Sequence, residues 1–185
     1  MARAKTGAFY LTEQVQLTQQ GVAVQGSISL ASYVDVASRQ GIAIEEVTFM
    51  NQGIEPSGQY TQSMEGIGST GLRYSVGMQI TDVNRGVQII SAGDRALIGS
   101  GALVGDTQGG LSHNSDLFPD NYGSVAMDEA RIVVNSELFF TAETTNDFAG
   151  GNPVLASTVR LKCRIVSLTE RDFMAIAITG SAADN

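Results

Sequence analysis

The sequence predicts an all-β protein that folds as a single eight-stranded jelly-roll sandwich or barrel with long loops. The first observation is alternation: between residues 21 and 53, apolar and polar residues follow each other with period two, as in a strand with one wet face. The second is composition, because 21 glycines and three prolines, spread without a collagen-like period, suit a turn-rich fold. The third is the spacing: about eight alternating segments are linked by three long loops, which favours a Greek-key or jelly-roll topology over hairpin meanders or βα units.

The chain is long enough for one domain. With 185 residues and 43% apolar content it can build its own core. We assign residues 1–7 to a flexible N-terminal arm, residues 8–180 to the jelly-roll domain and residues 181–185 to a C-terminal tail. No apolar segment follows Arg3 and Lys5, so no signal peptide is expected.

The first strands are predicted on either side of Gly21. Residues 8–18 alternate, although Glu13 interrupts the apolar face, so the strand either starts after this residue or bulges there. Apolar residues at even positions continue over residues 22–36. This run exceeds a usual strand, so we expect a bend or bulge near Gly26.

The next strand follows a turn at residues 38–41. Its apolar face changes phase at Glu45 and Glu46, which predicts a bulge. A first long Gly-rich loop then covers residues 51–71. Five alternating positions predict a further strand over residues 72–80.

The middle of the chain combines turns and short apolar segments. Residues 82–86 have the composition of a hairpin connection, and residues 87–90 are predicted as a short return strand. A Gly-punctuated apolar segment covers residues 96–104, and a second long loop is predicted over residues 106–123.

The last strands are separated by a third loop at residues 142–152. Residues 125–141 are predicted as one strand with a bulge around Asn135, and residues 154–168 as another. Thr169 with Asp172 resembles a helix-start box, so residues 170–178 are predicted either as a short helix or, over residues 175–178, as a closing strand.

The charge balance disfavours several partners. A formal net charge of −8 argues against binding of nucleic acid or an anionic membrane through a basic face. Lys5 and Lys162 are the two lysines against nine arginines. This acidic, lysine-poor balance fits a protein that works at high salt, and equally an ordinary acidic protein from a GC-rich genome.

No pattern in the sequence predicts an enzyme or a cofactor. His113 is the single histidine, so a metal centre built from several imidazoles is excluded, and no G-x-S-x-G nucleophile elbow accompanies this histidine. Cys163 is alone in an alternating run and is predicted to be a small buried residue. Glu45 and Glu46 are predicted to point to opposite faces of a strand, so they would not act together.

Two sets of charged residues, one acidic and one basic, remain as weaker candidates for a binding site. Asp106, Asp116 and Asp120 are candidate ligands for a hard cation, but their spacing matches no EF-hand, and a solvated acidic loop is the preferred interpretation, so no metal is predicted. The last strand carries Arg160, Lys162 and Arg164 on one face, which predicts a solvated face or ion pairs with a neighbouring acidic strand.

The sequence resembles a viral coat subunit. Its size, its acidic lysine-poor composition, the opening MARAKTGAFYLTEQVQLTQQ and the run SISLASYVDVASRQGIAIEEVTFM are similar to the smaller major capsid protein of haloarchaeal icosahedral viruses with an internal membrane, the sphaerolipovirus type. The resemblance implies a single vertical jelly roll, a location in the virion, and capsomers formed with like subunits and a larger capsid protein. It implies no active-site residues. It also suggests that residues 1–7 contact the membrane or a neighbouring subunit.

A second class stays open. A β-sandwich module that recognises a receptor or a glycan would use the loops at residues 51–71 and 106–123. These loops offer few aromatic platforms, namely Tyr60, Phe118 and Tyr122. A coat subunit should self-associate or require a partner, whereas a binding module should be a monomer.

Overall fold

The structure is a computed structural model, and it describes residues 2–61, 73–106, 111–118, 131–145 and 154–182. It contains eleven strands and one helix in this part of the chain. The strands are β1 (Arg3–Ala4), β2 (Phe9–Leu17), β3 (Val24–Ser29), β4 (Gln40–Ile54), β5 (Tyr60–Thr61), β6 (Arg73–Thr81), β7 (Leu97–Asp106), β8 (Leu111–Phe118), β9 (Arg131–Val133), β10 (Glu137–Thr144) and β11 (Val154–Ser167), and the helix is α1 (Glu170–Ala182).

The strands form two antiparallel sheets. In sheet A, β11 lies between β4 and the pair β1 and β2, while β5 and β9 both pair with β4. Sheet B has the order β3-β10-β6-β7-β8. Without the short or peripheral strands β1, β5 and β8, the two sheets become β2-β11-β4-β9 and β3-β10-β6-β7. Apart from the hairpin of β6 and β7, successive strands therefore change sheets in the jelly-roll pattern, and the predicted fold class is confirmed.

The core lies between the two sheets. Its members alternate along the strands, and Phe140 of β10 stacks on Phe49 of β4 with ring centroids 6.2 Å apart. The largest fully buried side chains are Phe140, Leu17, Leu30, Ile42, Ile44, Ile80, Ile98, Leu138, Leu155 and Leu161, followed by Val76 and Val133. Each contributes about 1.5–3 kcal/mol by burial.

Helix α1 covers one end of sheet A. Phe173 packs with Ala43, Val166 and Leu168, which belong to a second, smaller apolar cluster. The Thr169 hydroxyl accepts a hydrogen bond from the Asp172 amide at 3.2 Å, as an N-cap does. Of the two alternatives predicted for the C-terminal segment, the helix is therefore confirmed.

The first residues of the chain join sheet A. Arg3 and Ala4 form β1 and pair with Ser167 and Val166 of β11, and the Lys5 amide donates to the Ile165 carbonyl at 2.8 Å. The backbone of residues 3–5 therefore continues the sheet A ladder, and the assignment of residues 1–7 to a separate arm stays a prediction.

The strand predicted over residues 22–36 is much shorter in the structure. β3 ends at Ser29, and the Tyr33 and Val34 amides both donate to the Leu30 carbonyl. The Asp35 carboxylate then accepts hydrogen bonds from the Ala37 amide and the Ser38 hydroxyl. These local bonds turn the chain where alternation alone predicted extension.

The bulge predicted at Glu45 and Glu46 is confirmed. Cys163 pairs with Ile44 and Lys162 pairs with Glu46, so Glu45 is the additional residue on β4. In contrast, residues 125–141 do not form one bulged strand. Val133 pairs with Ile42 in sheet A and Glu137 pairs with Ser29 in sheet B, so residues 134–136 cross between the sheets.

Two further predictions are corrected. Residues 87–90 are not a return strand, because β6 pairs with β7 instead. Residues 82–96 form a loop over sheet B. The Gln79 side chain fixes this loop through two hydrogen bonds with the Ile90 backbone. The segment predicted as a loop over residues 106–123 contains β8.

Candidate interaction surface

The outer face of sheet A presents three strands side by side. We call the outward residues of β2, β11 and β4 the sheet A face, and the register arranges them in rows. The rows are Gln14-Thr158-Met50, Thr12-Arg160-Thr48 and Tyr10-Lys162-Glu46. Arg160 thus lies at the centre, between Thr12 and Thr48 in its own row and between Thr158 and Lys162 along β11. Tyr10 is 54% exposed and Met50 is 42% exposed.

The bulge in β4 determines the charges of this face. It turns Glu45 outward, where the carboxylate pairs with Arg164 and lies 3.8 Å from the Lys162 ammonium. The Glu45 side chain is only 13% exposed, so water screens these pairs weakly. The ion pairs predicted for the basic strand are confirmed for Lys162 and Arg164.

Arg160 has a different partner. Its guanidinium lies over the Tyr10 ring, 4.1 Å from the centroid, in a cation–π contact. Among the residues that the structure describes, no carboxylate lies within ion-pair distance of this guanidinium. Glu46 faces the same side and accepts a hydrogen bond from the Thr48 hydroxyl at 3.3 Å. The prediction that Glu45 and Glu46 point to opposite faces is wrong, because the bulge resets the alternation between them.

One end of the sheet A face is closed by Tyr60 of β5. The Tyr60 hydroxyl donates to the Gln14 side-chain carbonyl at 3.0 Å, and the Gln14 amide donates to the Thr158 hydroxyl at 3.1 Å. Helix α1 packs over the opposite end, where Ala43 and Val166 face outward. The sheet A face therefore has defined limits along the strands.

Beneath this face, Cys163 is completely buried. Burial, assisted by the charge of Glu45, raises the pKa of the Cys163 thiol to about 12. The prediction of a small buried residue is confirmed, and the thiol is kept in its protonated, unreactive form.

The acidic cation candidates stay a prediction. The backbone of Asp106 pairs with Leu111 at the start of β8, and Asp116 lies five residues further along that strand, roughly 17 Å at about 3.3 Å per residue. Asp120 lies outside the described residues. His113 lies on β8 opposite Val104, in a strand where a loop was predicted. No group of three metal-ligating side chains occurs among the described residues.

A groove of about 520 Å³ lies at the other side of α1. Apolar residues line most of it, including Phe139, Phe173 and Met174, and Asp82 also lines it. The Asp82 carboxylate is mostly buried. Arg131 donates to this carboxylate at 3.0 Å. Burial nevertheless raises the pKa of Asp82 above its usual value, since the desolvation outweighs the charge of Arg131.

Sequence reasoning found the basic strand but missed Tyr10 and Glu46 as parts of this surface. Both belong to it only through strand pairing between distant segments. The one available signal was the polar phase of the first strand, which places Tyr10 on its wet side. The described residues include no helix with the length and apolarity needed to span a bilayer.

Comparisons with known proteins add little to this description. No family model and no curated protein matches the chain. A solved structure from Desmodium yellow mottle tymovirus is similar over 89% of this chain and 90% of that chain, with 12% sequence identity and a TM-score of 0.33. A similarity this weak carries no argument about function.

Proposed function

We propose that this chain is a structural capsid subunit of a virus. The observation that carries the proposal is the sheet A face on a jelly-roll sandwich: a three-strand surface with exposed Tyr10 and Met50 and a preoriented Arg160. Tyrosine, methionine and arginine are enriched where proteins contact each other. The jelly roll is the fold of many viral coat proteins, although it also serves lectins and cupins, so the fold alone does not decide.

The proposal extends to the kind of shell. The acidic, lysine-poor composition supports assembly at high salt, where surface carboxylates keep a protein hydrated. Together with the resemblance of the sequence, it supports capsomers formed with like subunits and a larger capsid protein around an internal membrane. Arg3 and Lys5 are exposed at the edge of sheet A and would contact that membrane or a neighbouring subunit.

Native mass tests the proposal. Light scattering on the purified chain, with salt stepped from roughly 0.15 M to about 3 M, should detect assemblies larger than a dimer at one or more salt concentrations. Addition of the larger capsid protein should increase the particle mass further. A monomer at every salt, with and without that partner, would contradict a coat function and favour a binding module.

Deletion of residues 2–5 tests the role of the N-terminal arm. The deletion variant should form no particles, or particles that lack the membrane. Circular dichroism should still show a folded β protein. Unchanged assembly on the membrane would remove the arm from the proposal.

A further inference from the structure

Two unpaired charges of opposite sign lie next to each other on the sheet A face. Arg160 sits on the central strand β11, opposite Thr48, and Glu46 sits on β4, opposite Lys162. They are therefore diagonal neighbours, about 7–8 Å apart in a regular sheet and somewhat less between their Cβ atoms. In the described part of the chain, neither has an ion-pair partner of its own.

Each charge has a different neighbour. Arg160 stacks on Tyr10, which lies on the β2 side of β11. Glu46 accepts a hydrogen bond from Thr48, the residue of β4 that lies opposite Arg160, and the nearby Lys162 ammonium contacts Glu45 instead. The stacked guanidinium keeps its N–H edges free for a carboxylate, which it binds best in a bidentate geometry.

We propose that the sheet A face binds a second copy of this chain through a two-fold contact, in which Arg160 of each copy pairs with Glu46 of the other. This inference rests on the proposed function, because it specifies how like subunits meet. An isologous interface requires a self-complementary patch, where residue i contacts residue j and j contacts i. Two neighbouring charges of opposite sign satisfy this requirement, whereas a patch with one sign would repel its own copy.

Charge complementarity favours a second copy over an unrelated acidic partner. The chain carries a net charge of −8, so most of its surface repels another copy. On the sheet A face, three cations (Arg160, Lys162 and Arg164) stand against two carboxylates (Glu45 and Glu46), so this face lacks the strong negative charge of the whole chain. Tyr10 and Met50 supply exposed apolar area beside the two charges.

Charge reversal tests the contact. Arg160→Glu and Glu46→Arg should each place like charges across the two-fold axis and weaken the homodimer by about a hundredfold or more in dissociation constant. An equimolar mixture of the two variants should recover the dimer, because each variant then faces the opposite charge. The masses are measured by light scattering and native mass spectrometry, at the salt where wild type is dimeric.

Matched controls separate this contact from net charge and folding. Arg171→Glu and Glu55→Arg reverse exposed charges elsewhere and should leave the wild-type mass unchanged. Circular dichroism and thermal unfolding must show that all variants are folded. If the two sheet A variants keep the wild-type mass, or if their mixture fails to recover it, the two-fold contact is wrong.

The outcome is distinguishable from a failure of the coat function. Wild type that forms large particles, with both reversal variants forming the same particles, overturns the contact and leaves the coat function standing. A dimer that behaves as expected in every mixture, yet never enlarges with salt or with the larger capsid protein, supports the contact and contradicts the coat function.

Discussion

Glu13 is a carboxylate on the inner side of β2, and Gly26 of β3 makes room for it. A Cβ atom at Gly26 would lie 2.5 Å from Glu13 Oε1 and 2.9 Å from its Cγ, closer than real contacts allow. β2 consequently continues without a bulge through a residue that interrupts its apolar face. The glycine that suggested a bend in the sequence serves instead to accommodate a side chain on the opposite sheet.

Substitution at Gly26 should be coupled to Glu13. We expect Gly26→Ala to lower the free energy of unfolding by about 1–3 kcal/mol, because the carboxylate must move out of its place between the sheets. In a Glu13→Ala background the same substitution should cost much less. Urea unfolding of the four proteins measures the coupling. Gly77→Ala is the control, since its nearest side-chain atoms are 3.9 Å away, and equal costs in both backgrounds would contradict the contact.

The protonation of Glu13 should affect stability in a defined direction. Burial raises the pKa of Glu13 above its usual value of 4.5. The folded state therefore holds the proton more tightly than the unfolded chain, so this contribution to stability is present below pH 4.5 and is lost as the pH rises through the folded pKa. Glu13→Gln should be the more stable protein at neutral pH, and the difference should shrink toward acid. A difference independent of pH in urea unfolding would be evidence against burial as its cause.

At the scale of elements, the bulge in β4 separates two functions of one strand. Val47 and Phe49, which follow the bulge, still face the core, and the bulged Glu45 forms ion pairs with Lys162 and Arg164 on β11. Side chains in a strand alternate between the two faces. The one inserted residue, Glu45, adds an outward-facing acidic side chain, and the core residues on both sides of it keep facing inward.

Deletion of Glu45 should leave the fold intact. The deletion would restore regular pairing between Ile44 and Cys163 and between Glu46 and Lys162, at the cost of the ion pairs, which we expect to be about 1–2 kcal/mol. Deletion of Thr48, the matched control, should unfold the domain because it turns either Val47 or Phe49 outward. Thermal unfolding by circular dichroism checks both. Equal loss of structure in the two deletion variants would show that the bulge is indispensable.

Alternation was sufficient to predict β2, β4 with its bulge, β6 and β11, because each has a buried face that fixes the phase. Alternation also continues over residues 30–36 and 134–136, but neither segment is a strand. Local hydrogen bonds turn the chain at residues 30–36, and the chain crosses from sheet A to sheet B at residues 134–136. The sheet A face could be predicted only in part. Arg160, Lys162 and Arg164 lie on one strand, whereas Tyr10 and Glu46 join them through registers that no local pattern encodes.

At the scale of the whole molecule, the sandwich isolates its single thiol. Cys163 is completely buried under the sheet A face, and its raised pKa removes the thiolate that thiol reagents require. A reagent reaches it through opening of both β11 and the core, so labelling reports global unfolding.

Thiol labelling of the native protein should therefore be at least about a thousandfold slower than that of the unfolded chain. The rate should rise with urea in parallel with the unfolding transition. Ser27→Cys in a Cys163→Ala background provides the exposed control and should react within the same order of magnitude as a free thiol. Rapid labelling of native Cys163 at neutral pH would indicate that β11 opens locally.

The position of β11 has a consequence for biosynthesis. This strand is the centre of sheet A, yet it follows every other described strand in the sequence. During translation β2 and β4 emerge without the partner that joins them, and after β4 is made they wait about 6–23 seconds, at about 5–20 residues per second, until residues 154–167 have been synthesised. The edges of β2 and β4 that β11 later covers stay open to other chains for that interval, so pairing between nascent chains competes with completion of sheet A.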